Sequence, residues 1–343
     1  MILRIGIVIL AMTLAADGLV AYDLPPIRLS PGSSPVVCEH GHVQHAPVHN
    51  APLRGASTHS VPVRNVSIQT EHWTWQMFPS GYIYPTYLAA TQNRLGGVIN
   101  YDEHVNWIWD ITLGGRAPLF RYGNRSALHP EGWQLDMEGS VHLRLALKEA
   151  MDVEATDFRF GLPLSYGTKV WQVRGGYYHV STHMGDERVL RHIVKDHADG
   201  SFHPSDLSPR LGSRYRLNYY REALLLSYAF RPTPNTRLYA EVDYAAITGE
   251  LTKPWHFQFG AEYSPRYPAQ GGRGTPFAAI NARLMQEHNF DGNITLQTGW
   301  QWRGSRNELL RLGIQYFAGV SDQYSFLVHR REHKIGIGVW YDF

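Results

Sequence analysis

From residue 94 to its end the chain is patterned in twos. In the last stretch His333, Ile335, Ile337, Val339, Tyr341 and Phe343 alternate with Glu332, Lys334, Gly336, Gly338, Trp340 and Asp342, so one face is apolar and the other polar or small. The same alternation sets Leu238, Ala240, Val242 and Tyr244 against Arg237, Glu241 and Asp243. It also sets Trp133, Leu135, Met137, Val141, Leu143 and Leu145 against Gln134, Asp136, Glu138, His142 and Arg144. A period of two marks a β-strand whose two faces meet different surroundings. Such runs predict about twelve strands, near 94–101, 106–116, 132–148, 154–165, 168–183, 214–231, 235–247, 254–264, 276–287, 292–303, 307–320 and 332–343. Long strands in an even number, with charges on the less apolar face, predict an all-β chain closed into an antiparallel barrel.

Two architectures share this alternation with opposite senses. A soluble barrel turns its apolar face inward, whereas a transmembrane barrel turns it outward, rimmed by aromatics, and lines its interior with polar groups. A mean hydropathy of −0.31 and 18% charged residues look soluble, but 20 Tyr and 10 Trp need a place. Trp107, Trp109, Trp133, Tyr228, Phe230, Trp255, Trp300 and Trp302 sit on the apolar face near strand ends, as interfacial girdles would. Asp110, Arg116, Asp136, Glu138, Asp157, Arg159, Arg237, Glu241, Asp243 and Arg283 fall on the other face, where both signs can pair. Only five of the 32 basic residues are Lys, and the planar fork of Arg suits bridging of luminal carboxylates. The reading is therefore a transmembrane β-barrel. The ending Tyr341-Asp342-Phe343 resembles the terminal signal of bacterial outer-membrane barrels, which implies an outer-membrane location and recognition of Phe343 by the barrel-assembly machinery.

The N-terminus reads separately. Arg4, the apolar run Ile5 to Leu14 and the small residues after it make residues 1–21 a signal peptide, with cleavage after Gly18 or Ala21. No later window approaches the ~18 apolar residues of a transmembrane helix. Residues 22–70, rich in Pro, Ser, Gly and His, read as a disordered segment in which His40, His42, His45 and His49 are spare histidines of a polar tract rather than a metal site; residues 71–343 are expected to form the barrel with its periplasmic N-terminal extension. Cys38 is alone, which excludes an internal disulfide, and a net charge of +2 gives no sign of nucleic-acid binding.

The candidate chemistry lies on one pair of strands. The run from Val170 to Met184 puts Trp171, Val173, Gly175, Tyr177, His179, Ser181 and His183 on the outward face. The next strand puts Asn218, Tyr220, Glu222, Leu224 and Leu226 outward. A base and a hydroxyl at i and i+2 on a strand project side by side. His179 would take the Ser181 proton, with Asn218 or Glu222 holding the imidazole in its tautomer. A serine nucleophile on that face meets acyl esters of membrane lipids or lipopolysaccharide.

Tyr177-x-His179-x-Ser181 resembles the His-x-Ser element of outer-membrane phospholipase A. That resemblance implies a twelve-strand barrel whose His and Ser face lipid, an Asn on the next strand, here Asn218, as third member, and calcium supporting the oxyanion. The site is also similar to that of lipid A deacylases, whose third member is a Glu, pointing to Glu222 or Glu187. Asp186, Glu187, Asp196 and Asp199 in the following loop are the candidate calcium ligands. The strings FPSGYIYPTYLA, EGWQLDMEG, ATDFRFGLPL, YYHVSTHMGDE and LNYYREALLLSYAF resemble, over roughly residues 75–343, a bacterial domain-of-unknown-function family of outer-membrane barrels. The alternative to a lipid acyl hydrolase is a non-enzymatic envelope barrel, either a narrow channel or a structural component. Twelve strands leave little free lumen once Arg and Tyr fill it.

Overall fold

The computed structural model describes residues 72–188, 218–249, 252–267, 272–326 and 331–343. The expected signal peptide, residues 22–70 with their histidines, and Asp196 and Asp199 lie outside the described residues. The first six strands are β1 (Thr74–Met77), β2 (Leu95–Asp102), β3 (Asn106–Gly123), β4 (Gly132–Ala146), β5 (Asp152–Gly167) and β6 (Trp171–Met184). The rest are β7 (Asn218–Thr233), β8 (Thr236–Thr248), β9 (Trp255–Tyr263), β10 (Thr275–Met285), β11 (Asp291–Arg303), β12 (Leu309–Val320) and β13 (Arg331–Asp342). From β2 to β13 each strand pairs antiparallel with the next, and β13 pairs back with β2, Ile337 opposite Ile99 and Val339 opposite Gly97. The result is a closed twelve-stranded antiparallel barrel. Among the described residues no helix is long and apolar enough to cross a membrane.

The twelve wall strands form where the period of two predicts them, with one difference in extent, and a short strand outside the prediction, β1, is added at Thr74–Met77. β3 runs to Gly123 rather than ending near 116. A bulge between Pro118 and Phe120 resets its alternation: Arg116 points inward before it, and after it Arg121 points inward while Phe120 and Tyr122 turn outward. A run that changes phase does not read as one strand. With β3 extended, the expected long turn at 117–131 shrinks to 124–131. Only Asn106–Thr112 of β3 pairs with β2; its far end pairs with β1, Thr74 opposite Gly123 and Met77 opposite Phe120.

The outside is apolar. Leu224, Leu226, Ile335, Ile337 and Val339 at mid-strand are all exposed, Ile337 by 66%. Aromatic rings band both ends. Trp133, Tyr166 and Trp171 follow one another at 4.6 and 5.4 Å at the end that carries the C-terminus. Tyr101 with Trp107, Tyr244 with Trp255 and Phe257 with Phe290 mark the other. The inside is charged. Arg144 is wholly buried among Asp110 (2.6 Å), Glu332 (2.5 Å) and Asp322 (2.8 Å), with Lys334 bridging the same three acids. Arg116 meets Asp136 at 2.7 Å and Arg174 meets Glu241 at 2.6 Å. This is the inverse of a water-soluble barrel and the pattern of an outer-membrane-type barrel.

Between β1 and β2 the chain leaves the wall and fills the lumen. Tyr82, Ile83, Tyr84, Tyr87, Leu88 and Ala89 are buried there without regular secondary structure. Backbone carbonyls outside a ladder need donors, and wall arginines supply them. Arg116 donates to Tyr84 O (2.7 Å), Arg121 to Gly81 O (2.7 Å), and Arg237 to the carbonyls of Pro85 (2.9 Å) and Thr86 (2.8 Å). Tyr87 stacks on Tyr239 with centroids 3.8 Å apart and donates to Glu241 at 3.0 Å. The excess of Arg over Lys thus has two uses, bridging carboxylates and binding an inner segment.

Candidate functional site

β6 and β7 pair with His179 opposite Glu222, Ser181 opposite Tyr220 and His183 opposite Asn218. On its other side β6 pairs with β5, His179 opposite Phe160 and Ser181 opposite Phe158. Alternation sends Tyr178, Val180 and Thr182 into the lumen, where all three are buried, and leaves Tyr177, His179, Ser181 and His183 on the outer wall. Residues directly opposite in an antiparallel pair have Cβ atoms ~5 Å apart, so a His and a Glu so placed meet without distortion. His179 Nδ1 lies 2.7 Å from Glu222 Oε1, their side chains being 34% and 27% exposed. Tyr177, two residues before His179 on the same face, donates its hydroxyl to Glu222 Oε2.

Glu222 is therefore anchored through both oxygens, and Nδ1 of His179 is occupied, which directs the free Nε2 away from Glu222. Ser181 lies two residues on, ~6.6 Å along the strand. Its hydroxyl makes no hydrogen bond with His179 among the described residues. The aromatic rings of Phe158, Phe160, Tyr177 and Tyr220 surround the cluster and are each about 40% exposed. Beside His179 a shallow groove of about 380 Å³ opens between Leu113, Val141, Phe158 and Phe160, floored by Gly139, which has no side chain to fill it.

Of the two candidate partners for the imidazole, the ladder brings Glu222 to His179 and not Asn218. The Asn218 backbone sits opposite His183, four residues along β7 and ~13 Å away. That register corrects the expectation of Asn218 as the orienting residue. Tyr177 was missed as a partner of Glu222, although its place two residues before His179 on one face was the available signal. Asp186 and Glu187 form the start of a short helical turn beyond β6 and are both exposed. They come five and six residues after Ser181, past the end of β6 at Met184. No group of three or more His, Cys, Asp or Glu among the described residues is placed to hold a metal; Asp196 and Asp199, the other two expected calcium ligands, lie outside the described residues.

Residues 42–343 match the model of a family described as protein of unknown function (DUF1207). Comparison with curated protein sequences finds no match. Among solved structures the chain is similar to outer membrane phospholipase A from Escherichia coli, at 12% identity over 76% of this chain and 91% of that one, with a TM-score of 0.44. It is also similar to the Salmonella typhi outer membrane phospholipase dimer with bound calcium, at 14% identity over 76% and 92%, TM-score 0.46. A third is a mutant of the TodX monoaromatic hydrocarbon channel, at 12% identity over 75% and 91%, TM-score 0.33.

Proposed function

The chain belongs to the DUF1207 family, and for this member we propose an outer-membrane barrel that hydrolyses acyl esters of membrane lipids, using Ser181, His179 and Glu222 on its outer wall. The observation that carries the reading is the 2.7 Å pair of His179 and Glu222 on a face that is mostly apolar. Ionisable groups turned toward hydrocarbon are costly and mark functional sites. The belts of Trp and Tyr support the membrane location. Trp171 lies in one belt, and Ser181, ten residues further along a strand tilted by ~40°, stands ~25 Å above it. That is the upper edge of a ~25 Å apolar band, where ester carbonyls of lipids lie.

The chemistry balances on the residues present. Ser181 Oγ attacks the ester carbonyl carbon as its proton passes to His179 Nε2, and the tetrahedral intermediate expels the lipid alcohol, which takes that proton. Water then repeats the sequence on the acyl-serine and frees the fatty acid. Glu222, accepting from Nδ1–H, keeps the imidazole in the tautomer with Nε2 free, and Tyr177 fixes the carboxylate. The groove beside His179 would take an acyl chain. The Ser181–His179 hydrogen bond would form with substrate, since such bonds are often long in free enzymes.

The test is fatty-acid release from phospholipid or lipid A in mixed micelles by refolded protein, run with calcium and with a chelator. Release is expected from the wild type and background from Ser181→Ala. Glu222→Gln should lose ~10²–10⁴-fold, the range for misplacing a catalytic imidazole. No release from either lipid in either condition, or equal release by Ser181→Ala, would reject the reading. The competing role is a non-enzymatic envelope barrel; its channel form would need stepwise conductance in a planar bilayer, against which stands the filled lumen.

A further inference from the structure

Many charges inside this barrel are paired, but among the described residues several arginines at the end that carries the C-terminus share one cavity without a carboxylate each. There a cavity of about 40 Å³ lies between the inner segment at Pro85–Leu88 and the end residues of several wall strands. Four arginines line it: Arg231 on β7, Arg237 on β8, Arg266 just after β9 and Arg303 at the end of β11. Two acids line it as well, and both are engaged. Glu262 holds Arg237 at 2.9 Å, and Asp342 lies between Arg94 at 3.3 Å and Arg311 at 3.0 Å. Arg231, Arg266 and Arg303 have no carboxylate within ion-pair distance among the described residues.

We propose that this cavity is a binding site for one small oxyanion, phosphate or sulfate, held by Arg231, Arg266 and Arg303. Neutral oxygens already aim two of the three side chains. Arg303 donates to Pro265 O (3.1 Å), Asn307 Oδ1 (2.5 Å) and Ser264 Oγ (2.8 Å), and Arg266 donates to Leu128 O at 2.6 Å. The third is an orphan: Arg231 is only 8% exposed, and its buried Nε has no partner. An unpaired buried charge is strongly destabilising, and three of one sign around a single void are more so. A dianion at their centre removes that penalty, and the planar forks of Arg match its oxygens bidentately.

The local field agrees. Burial and the neighbouring Arg303 and Arg237 bring Arg266 down to about 9. Burial, with Arg266, Lys169, Arg231 and Arg303, lowers the His129 imidazole as well. Size bounds the ligand: at ~10–15 Å³ per water-sized centre the cavity holds a cluster of only a few oxygens, too little space for a nucleotide or an acyl chain. The site is independent of the hydrolase reading. Arg231 lies nine residues along β7 from Glu222, ~30 Å away.

Calorimetric titration of the refolded full chain with sodium phosphate, with sulfate, and with chloride at equal ionic strength tests the assignment. Saturable binding of phosphate and sulfate but not chloride is expected, with a matching rise in Tm. Arg231→Gln and Arg303→Gln should each weaken it ~10-fold or more, as loss of a charge-assisted contact does. Arg231→Gln leaves no carboxylate unpaired, so its anion-free Tm should equal or exceed that of the wild type, which separates lost binding from lost folding. No saturation by ~10 mM, the weak end of the affinity scale, or unchanged affinity in both variants, would overturn the proposal. A response to phosphatidylglycerol vesicles without one to free phosphate would overturn the small-ion assignment.

Discussion

Replacing Ile337 by arginine separates a wall that faces hydrocarbon from one that faces water. Ile337 is 66% exposed and lies between Ile314 on β12 and Ile99 on β2. It is six residues from one end of β13 and five from the other. At ~3.3 Å per residue and a tilt of ~40° it stands ~15 and ~13 Å from the two rims, the midplane of any apolar layer the barrel crosses. An arginine on the lipid face costs ~2–4 kcal/mol at that depth and ~0–1 near an interface. The first figure is a ~30- to 900-fold loss in the folded-to-unfolded ratio. In water the same exposed substitution would change stability by less than ~0.5 kcal/mol. His333→Arg, four residues nearer the rim on the same face, is the matched control. Denaturant titration in phospholipid vesicles, followed by the fluorescence of the 10 tryptophans, should show the large loss for Ile337→Arg and almost none for His333→Arg. If Ile337→Arg unfolds with the wild type, the outward face does not contact hydrocarbon and the membrane reading falls.

Arg144→Met should destabilise by ~3–5 kcal/mol, because it removes the guanidinium that meets Asp110, Glu332 and Asp322 inside the barrel; the same unfolding titration measures it. Replacing residues 82–90 by a Gly/Ser stretch should turn a barrel silent in planar bilayers into one with stepwise conductance, since those residues fill the lumen; silence would mean that the wall arginines close the lumen unaided. Sulfate affinity should be flat from pH 5 to 8 and fall above about 9, as Arg266 loses its proton. The sign follows from a folded-state value below the ordinary one: the cation is the strained form, so between about 9 and its usual range anion-free stability rises with pH while sulfate binding weakens. A calorimetric pH series reads both.

The barrel was legible because each wall strand has one face in each environment, which writes a period of two into its sequence. It failed where the phase changes, at the bulge after Pro118, and where no period exists. Residues 78–94 carry no strand or helix pattern. What holds them, Arg116, Arg121 and Arg237, sits 22 or more positions away on other elements, and no local signal reports such a pairing. At the candidate site the faces were legible, since alternation alone put His179, Ser181 and Glu222 outward. The register was not. β6 and β7 are joined across residues 185–217, and a connection of that length leaves several registers open. Choosing between Asn218 and Glu222 required the ladder that sets Glu222 opposite His179.

The four residues of β1 are also a mechanical element. They lie on the edge of β3, antiparallel to it, and lead directly into the segment that fills the lumen. Tension applied ahead of Thr74 acts on the end of that short ladder, so its hydrogen bonds open one after another rather than together. Such peeling needs little force, and once Met77 is free the same pull reaches Tyr82, Tyr84 and Tyr87 inside. The inner segment is thus attached to a ripcord on one side and, through β2, to the permanent wall on the other.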